Sequence, residues 1–215
     1  MEKIEYRVEN VVGSMDINVP LDLRETYKRL LKLQSEVKDE LSRKEGDGVT
    51  DWPFLVRYEP KKFPGIILKV RYNVRASSLI FNSGKLVITG AKNEDVLNKA
   101  GRVIVALLKR CDIKIEKTSP VEVHNIVASA SLNEIVNLEK VATRGRYNVF
   151  YEPEIFPGLI YKMREPKVTL LVFKSGKVVC TGAKSRDDIS QALDKIDLTI
   201  QEYDAYVPED ELPTF

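Results

Sequence analysis

The side chains of this chain with the most chemical reach come in pairs. Phe81 and Phe173, Thr89 and Thr181, Lys85 and Lys177, and Lys92 and Lys184 each lie 92 positions apart. Phe63 and Phe156, Lys69 and Lys162, and Arg71 and Arg164 each lie 93 apart. Asn10 and Asn125 each open an Asn-x-Val-x-Ser segment. These are amides, hydroxyls, cations and rings, groups that grip a ligand rather than transform one. The one histidine, His124, has no metal-binding or catalytic constellation around it, and Cys111 and Cys180 lack zinc or redox spacing. The cysteines read as small apolar residues in a reducing compartment. No carboxylate cluster forms a nuclease or glycosylase motif. The expectation is a binding protein with no cofactor, no metal and no enzyme activity.

The pairing reflects an internal duplication. Leu79 to Lys92 (LIFNSGKLVITGAK) matches Leu171 to Lys184 (LVFKSGKVVCTGAK) at ten of fourteen positions. FPGIILKVR from Phe63 matches FPGLIYKMR from Phe156 at six of nine. Each longer block is an apolar run, a Ser-Gly-Lys turn and a second apolar run, which predicts a hairpin of two strands. Alternation then puts Leu79, Phe81, Val87 and Thr89 on one face and Ile80, Leu86 and Ile88 on the other. The second copy puts Leu171, Phe173, Val179 and Thr181 opposite Val172, Val178 and Cys180. Both faces are apolar, so both need cover.

The chain has 215 residues, and two halves fused with pseudo-twofold symmetry suit that length. With 34 basic and 32 acidic residues, the net charge of +2 permits a nucleic-acid partner without requiring one. No apolar run approaches the ~20 residues of a membrane span, and MEKIEYRVEN lacks a signal-peptide core.

Tyr6 to Val19 predicts the first strand, with Val11, Met15, Ile17 and Val19 on one face and Asn10, Val12, Ser14 and Asp16 on the other. His124 to Leu132 repeats it, with Asn125, Val127, Ser129 and Ser131 opposite Ile126, Ala128, Ala130 and Leu132. After Pro20, Asp22 caps a helix from Leu23 to Lys44 whose inward stripe is Leu23, Tyr27, Leu30, Leu31, Val37 and Leu41. Gly46 to Asp51 breaks it, and Trp52, Phe54 and Leu55 fold back. Second helices follow each hairpin, from Asn93 and from Ser185, and the acidic, Pro-containing end reads as a mobile tail. The two copies differ twice. The span Asn10–Phe63 is about 22 residues longer than Asn125–Phe156, and Arg71–Phe81 has one residue more than Arg164–Phe173. A bulge or a re-aimed hairpin is expected to absorb the single residue.

Each half is thus strand, helix, several strands, helix: an α+β arrangement with helices on one face of an antiparallel sheet. The other face stays uncovered. It carries Asn10, Val12, Leu79, Phe81, Val87 and Thr89, and from the second copy Asn125, Val127, Leu171, Phe173, Val179 and Thr181. That surface is apolar with two amides and two hydroxyls and no charge, and an apolar surface of that size marks a binding site.

FPGLIYKMREP, LVFKSGKVVCTGAK and HNIVASASL resemble the signature of the TATA-binding protein family, and the likeness spans both repeats; repeat two and the acidic tail resemble the archaeal form. The resemblance implies a saddle, a curved ten-stranded antiparallel sheet with four helices on its convex face and DNA in its concave one. It implies that Phe63, Phe81, Phe156 and Phe173 wedge into base steps. It places Asn10, Asn125, Thr89 and Thr181 at central hydrogen-bonding positions, where donors suit the acceptor-only minor groove of A·T pairs. Val12, Val87, Leu79, Val127, Val179 and Leu171 would make a dry surface that leaves a guanine amino group without a partner. Lys69, Arg71, Lys85 and Lys92, with Lys162, Arg164, Lys177 and Lys184, are expected on phosphates. Glu152, Glu154 and Ile155 match the acidic lobe on which the family docks transcription factor B, whereas copy one has Lys61 and Lys62 there.

The expected organisation is a first repeat over 1–117 with an inserted helix and loop around 30–57, a second repeat over 118–200, and an acidic tail over 201–215. The expected function is a general transcription initiation factor that recruits transcription factor B and the RNA polymerase pre-initiation complex. It would be nucleoid-associated in an archaeal cytoplasm, or nuclear in a eukaryote. A homodimer in the absence of DNA is a further partner considered. The rival expectation is a divergent paralogue that works as a transcription-factor interaction protein with weak DNA binding, motivated by the extra residues of copy one.

Overall fold

A computed structural model describes residues 3–45, 53–71, 74–145 and 147–208. Residues 46–52, which include Trp52 and the whole Gly46–Asp51 break, lie outside that set, as does the chain after Pro208. Contacts divide the protein into two units, Asn10–Val123, and His124–Phe215 together with Met1–Glu9.

In the first unit the strand order is β2 (Phe54–Arg57), β3 (Ile66–Val70), β4 (Ala76–Ile80), β5 (Lys85–Ala91) and β1 (Tyr6–Asp16), all antiparallel. The second unit repeats the order with β7 (Val149–Phe150), β8 (Leu159–Met163), β9 (Val168–Val172), β10 (Lys177–Ala183) and β6 (Glu122–Ser131). Helices α1 (Leu23–Glu45) and α2 (Glu94–Arg110) belong to the first, and α3 (Leu138–Gly145) and α4 (Arg186–Glu202) to the second. The predicted antiparallel α+β plan is therefore present in each unit.

Burial alternates along the strands as the pattern requires. Ile66, Leu68, Ile80, Leu86 and Ile88 are fully buried, and β4 and β5 pack against α2, whose apolar stripe is Leu97, Ala100, Ile104 and Leu108. In the other unit Leu170, Val172, Val178 and Cys180 are buried likewise, and β10 packs against α4, whose stripe is Ile189, Leu193 and Ile196. Each such side chain contributes roughly 1.5–3 kcal/mol over an exposed one. Asn93 and Ser185 cap α2 and α4, and the Asp22 carboxylate accepts the Arg24 and Glu25 N–H groups at 2.9 and 3.1 Å at the start of α1.

Four expectations need correcting. Strand β1 stops at Asp16, not Val19. The inward stripe of α1 is Leu23, Thr26, Leu30 and Leu33, a 3-4-3 spacing; Leu31 is 40% exposed because it falls one step off that line. The side chain of Leu41 lies outside the described residues. No bulge forms between β3 and β4, whose pairing runs unbroken from Ile66↔Ile80 to Val70↔Ala76, as β8 and β9 do from Leu159↔Val172 to Met163↔Val168. The extra residue of copy one sits in the connection between those strands instead. The end is held as far as Val207: Ala205 is buried, Tyr206 bridges Val136, and the Val207 N–H donates to the Ile135 carbonyl at 2.9 Å.

Candidate nucleic-acid interface

The face left without helices is a lattice set by register. In the first unit Ile67, Leu79 and Val87 stand opposite one another across β3, β4 and β5, and Ser14 of β1 ends the row. The next row is Lys69, Ser77 and Thr89. The second unit repeats both, as Ile160, Leu171, Val179 and Ser129, then Lys162, Thr169 and Thr181. The apolar and hydroxyl members are half-buried, while most of their strand neighbours are buried; Ser14 alone is covered, at 6% exposure. Val12 and Val127 share this half-buried character. Ile67, Ser77, Ile160 and Thr169 were not singled out from the sequence, although the alternation that selects Leu79 also selects Ser77.

Each asparagine is locked by a bulge. Pairing of β5 with β1 slips between Ala91 and Ile88, and pairing of β10 with β6 slips between Ala183 and Cys180. The residue thrown out is Gly90 (φ +89°) or Gly182 (φ +94°), a conformation glycine adopts without strain. The freed Gly90 N–H donates to Asn10 Oδ1 at 2.8 Å, and the Gly182 N–H to Asn125 Oδ1 at 2.7 Å. A backbone donor must meet the amide oxygen, so the NH2 group is the part turned away from the bulge. Asn10 Nδ2 also lies 3.3 Å from Thr89 Oγ1. Both amides are therefore presented as donors.

The phenylalanines pair within each unit. Phe63 and Phe81 have centroids 5.9 Å apart at 63°, and Phe156 and Phe173 5.9 Å at 66°, edge-to-face in both. Each outer ring lies over the glycine of its Phe-Pro-Gly: a Cβ on Gly65 would come within 2.8 Å of the Phe63 ring, and one on Gly158 within 2.7 Å of Phe156 and 3.0 Å of Phe173. The geometry of the first pair is undisturbed by the longer connection of copy one. Lys69, Arg71, Lys85, Lys92, Lys162, Arg164, Lys177 and Lys184 are all exposed. Lys69, Arg71 and Arg75 line a groove of about 410 Å³ beside Ser77 and Gly90.

The surface is not free of charge. Glu9 accepts a 2.7 Å hydrogen bond from the hydroxyl of Ser129, whose backbone partner Val179 belongs to the half-buried face. Arg7 lies 3.7 Å from the same carboxylate.

At the outer end of the second unit, the Ile155 and Phe156 N–H groups both donate to the Glu152 carbonyl at 3.0 Å, making a tight turn. It leaves Glu152 and Glu154 exposed and Ile155 78% exposed. Among the described residues no helix is long and apolar enough to cross a membrane, and no three His, Cys, Asp or Glu residues could hold a metal.

A duplicated α+β fold whose open sheet faces carry amide donors, hydroxyls, paired rings and a cationic rim is the build of a DNA-binding protein. The family model described as transcription factor TFIID, or TATA-binding protein (TBP), matches residues 53–111 and 120–203. The TATA-box-binding protein of Pyrobaculum aerophilum is 41% identical over 191 residues, 89% of this chain and 83% of that protein. The one from Archaeoglobus fulgidus is 38% identical over 197 residues, 91% and 94% of the two chains. The solved structure of Methanococcus jannaschii TBP superposes with a TM-score of 0.70 at 34% identity, covering 92% of this chain and 99% of that one. The chain belongs to the TATA-binding protein family, a family of transcription initiation factors and not of enzymes, and it has the family's α+β saddle fold.

Proposed function

We propose that this protein is a promoter-recognition factor that sits in the minor groove of an A/T-rich element. The observation that carries this reading is the twofold recurrence of one chemical device: an amide turned out as a donor beside an edge-to-face phenylalanine pair. In the minor groove A·T pairs offer only acceptors, which Asn10, Asn125, Thr89 and Thr181 can satisfy. The dry rows of Leu79, Val87, Leu171 and Val179 leave most guanine amino groups unpaired. Phe63 with Phe81 and Phe156 with Phe173 act as wedges, and pyrimidine–purine steps yield to them most easily. The exposed lysines and arginines neutralise phosphates and fix the register. Glu152, Glu154 and Ile155 form the contact for transcription factor B, through which the polymerase is recruited. Such a factor resides on the chromosome, in the nucleoid of an archaeal cell.

The test is binding to a labelled A/T-rich duplex and to a G·C-substituted one over a salt series, with and without transcription factor B. Preference for the A/T-rich duplex, lost in the Phe81→Ala/Phe173→Ala double variant, is expected. Equal weak binding to both duplexes, with the partner still captured, would sink this reading and leave an interaction protein.

A further inference from the structure

The apolar row of the second unit runs one strand further than the residues named in it so far. Ile160, Leu171, Val179 and Ser129 stand opposite one another across β8, β9, β10 and β6, and Phe150 of β7 is paired with Ile160. Side chains directly opposite in an antiparallel ladder project from the same face. Phe150 therefore ends this row on the open face, and the wedge candidate Phe173 lies two residues past Leu171. Its neighbour Val149 takes the other face. Val149 is paired with Tyr161 and Tyr161 with the buried Leu170, and a Cβ on Gly145 of α3 would strike the Val149 side chain. Phe150 is 53% exposed, and among the described residues no ring pairs with it. The first unit ends the matching row with a different group. Arg57 of β2 is paired with Ile67, in the row of Leu79 and Val87, and its guanidinium is bound to the Glu59 carboxylate. One row thus ends in a neutralised ion pair and the other in a bare ring.

We propose that Phe150 is a further DNA-contacting residue, which packs against deoxyribose at the end of the site taken by the second unit and has no counterpart in the first. The inference rests on the minor-groove reading above. The inner members of the row meet base edges on that reading, and what borders base edges in a minor groove is the wall of sugar carbons. A cation at this margin would reach for phosphate. A phenyl ring gains only by covering apolar surface, and the sugar carbons are the apolar surface next in line. The contact of the second unit is thereby longer by one strand spacing, about 4.8 Å, than that of the first.

The experiment uses the full chain on an end-labelled A/T-rich duplex and maps the bound complex by hydroxyl-radical cleavage, which reports the exposure of each deoxyribose. In Phe150→Ala, protection of the outermost one or two sugars should be lost while the centre of the footprint stays. Affinity for the duplex should fall about fivefold, the size expected for covering half of a phenylalanine. Phe150→Leu should keep most of both, and unchanged melting temperatures show that the variants remain folded. Arg57→Ala should leave every sugar as protected as before. If Phe150→Ala keeps the full footprint and affinity while Phe173→Ala loses binding, the proposal is overturned and the minor-groove reading stands. If Phe150→Ala binds DNA unchanged but captures transcription factor B less well, the ring belongs to that protein contact and the proposal is likewise overturned. If the wild-type chain leaves no footprint on the A/T-rich duplex, both readings fall together.

Discussion

Each unit ends in a Tyr-Glu-Pro turn that leads into Phe-Pro-Gly, and the two turns have the same backbone and opposite chemistry. In the first unit, the Lys62 and Phe63 N–H groups both donate to the Glu59 carbonyl at 2.9 Å, as Ile155 and Phe156 do to Glu152 at 3.0 Å. The rings they launch stand at the same distance from their partners. Yet the Glu59 carboxylate is clamped, by Lys62 at 2.8 Å and by Arg57, and these two cations hold its pKa below the ordinary value. Lys61 lies exposed beside it. The second turn shows two exposed carboxylates and a bare isoleucine. The backbone that carries each ring is the same in both turns, as the proposed wedge role would require of both. The exposed side chains of the two turns have diverged to opposite charge, and on the proposed reading that difference would let one partner choose between the turns.

The equality is the larger claim and the easier to break. Phe81→Ala and Phe173→Ala should each weaken duplex binding by about 3 kcal/mol, on the order of a hundredfold in Kd, since each removes a ring that replaces lost base stacking. Fluorescence anisotropy at fixed salt measures it. A loss confined to one variant would show that the two wedges are unequal despite their matched geometry. The inequality is tested by charge reversal at the turns. Glu152→Lys with Glu154→Lys should weaken capture of transcription factor B by about tenfold or more, while Lys61→Glu with Lys62→Glu has little effect. Capture that survives the first pair and fails with the second would place the docking end in the wrong unit.

How much of this was legible beforehand depended on whether a feature was local. The hairpins, the buried Leu97, Ala100 and Ile104 of α2, the caps and the half-buried strand face all follow from periods of 2 and 3.6 and from cap chemistry, so the residues alone suffice. The asparagines were selected because they recur, but their orientation was not readable. It depends on Gly90 and Gly182 leaving the ladder, and a bulge is a property of two strands together. The bond from Ser129 to Glu9 was not readable for a related reason: it joins side chains of two strands 120 positions apart. The held end at Tyr206 was hidden behind a composition that reads as tail, because its partners Val136 and Asp197 are far away in sequence or on another element.

A core position separates the copies further. Ser78 on β4 is fully buried among Leu68 and Ile88, and its hydroxyl is the one buried side-chain polar atom among the described residues without a hydrogen bond. The matching residue of copy two, 92 positions on, is Leu170, an apolar side chain at the same depth. Ser78→Ala should therefore stabilise the protein by about 1 kcal/mol, from the removed cost of an unpaired buried hydroxyl. Denaturant unfolding with an unchanged slope checks it, and a loss of stability would mean that the hydroxyl is satisfied in solution.

The smallest expected difference lies in how the two matching helices begin. Asn93 caps α2 through its amide oxygen on the Val96 N–H at 2.8 Å, a group that does not titrate. At α4 the corresponding work is shared with Asp188, whose carboxylate accepts the Lys184 and Ser185 N–H groups at 2.8 and 3.1 Å. Those bonds, with the Lys184 amide the larger influence, hold its pKa below the ordinary aspartate value of 3.8. A carboxyl whose folded pKa lies lower than its unfolded one stabilises fully above the unfolded value and loses that effect as pH falls through the folded one. Acidification from pH 4 downward should thus loosen the start of α4 before that of α2. The Lys184 and Ser185 amide signals should shift with one titration below pH 3.8 that is absent at Val96 and absent throughout in Asp188→Asn. Parallel shifts at both helices would mean that the acid response is global and that the two caps are equivalent after all.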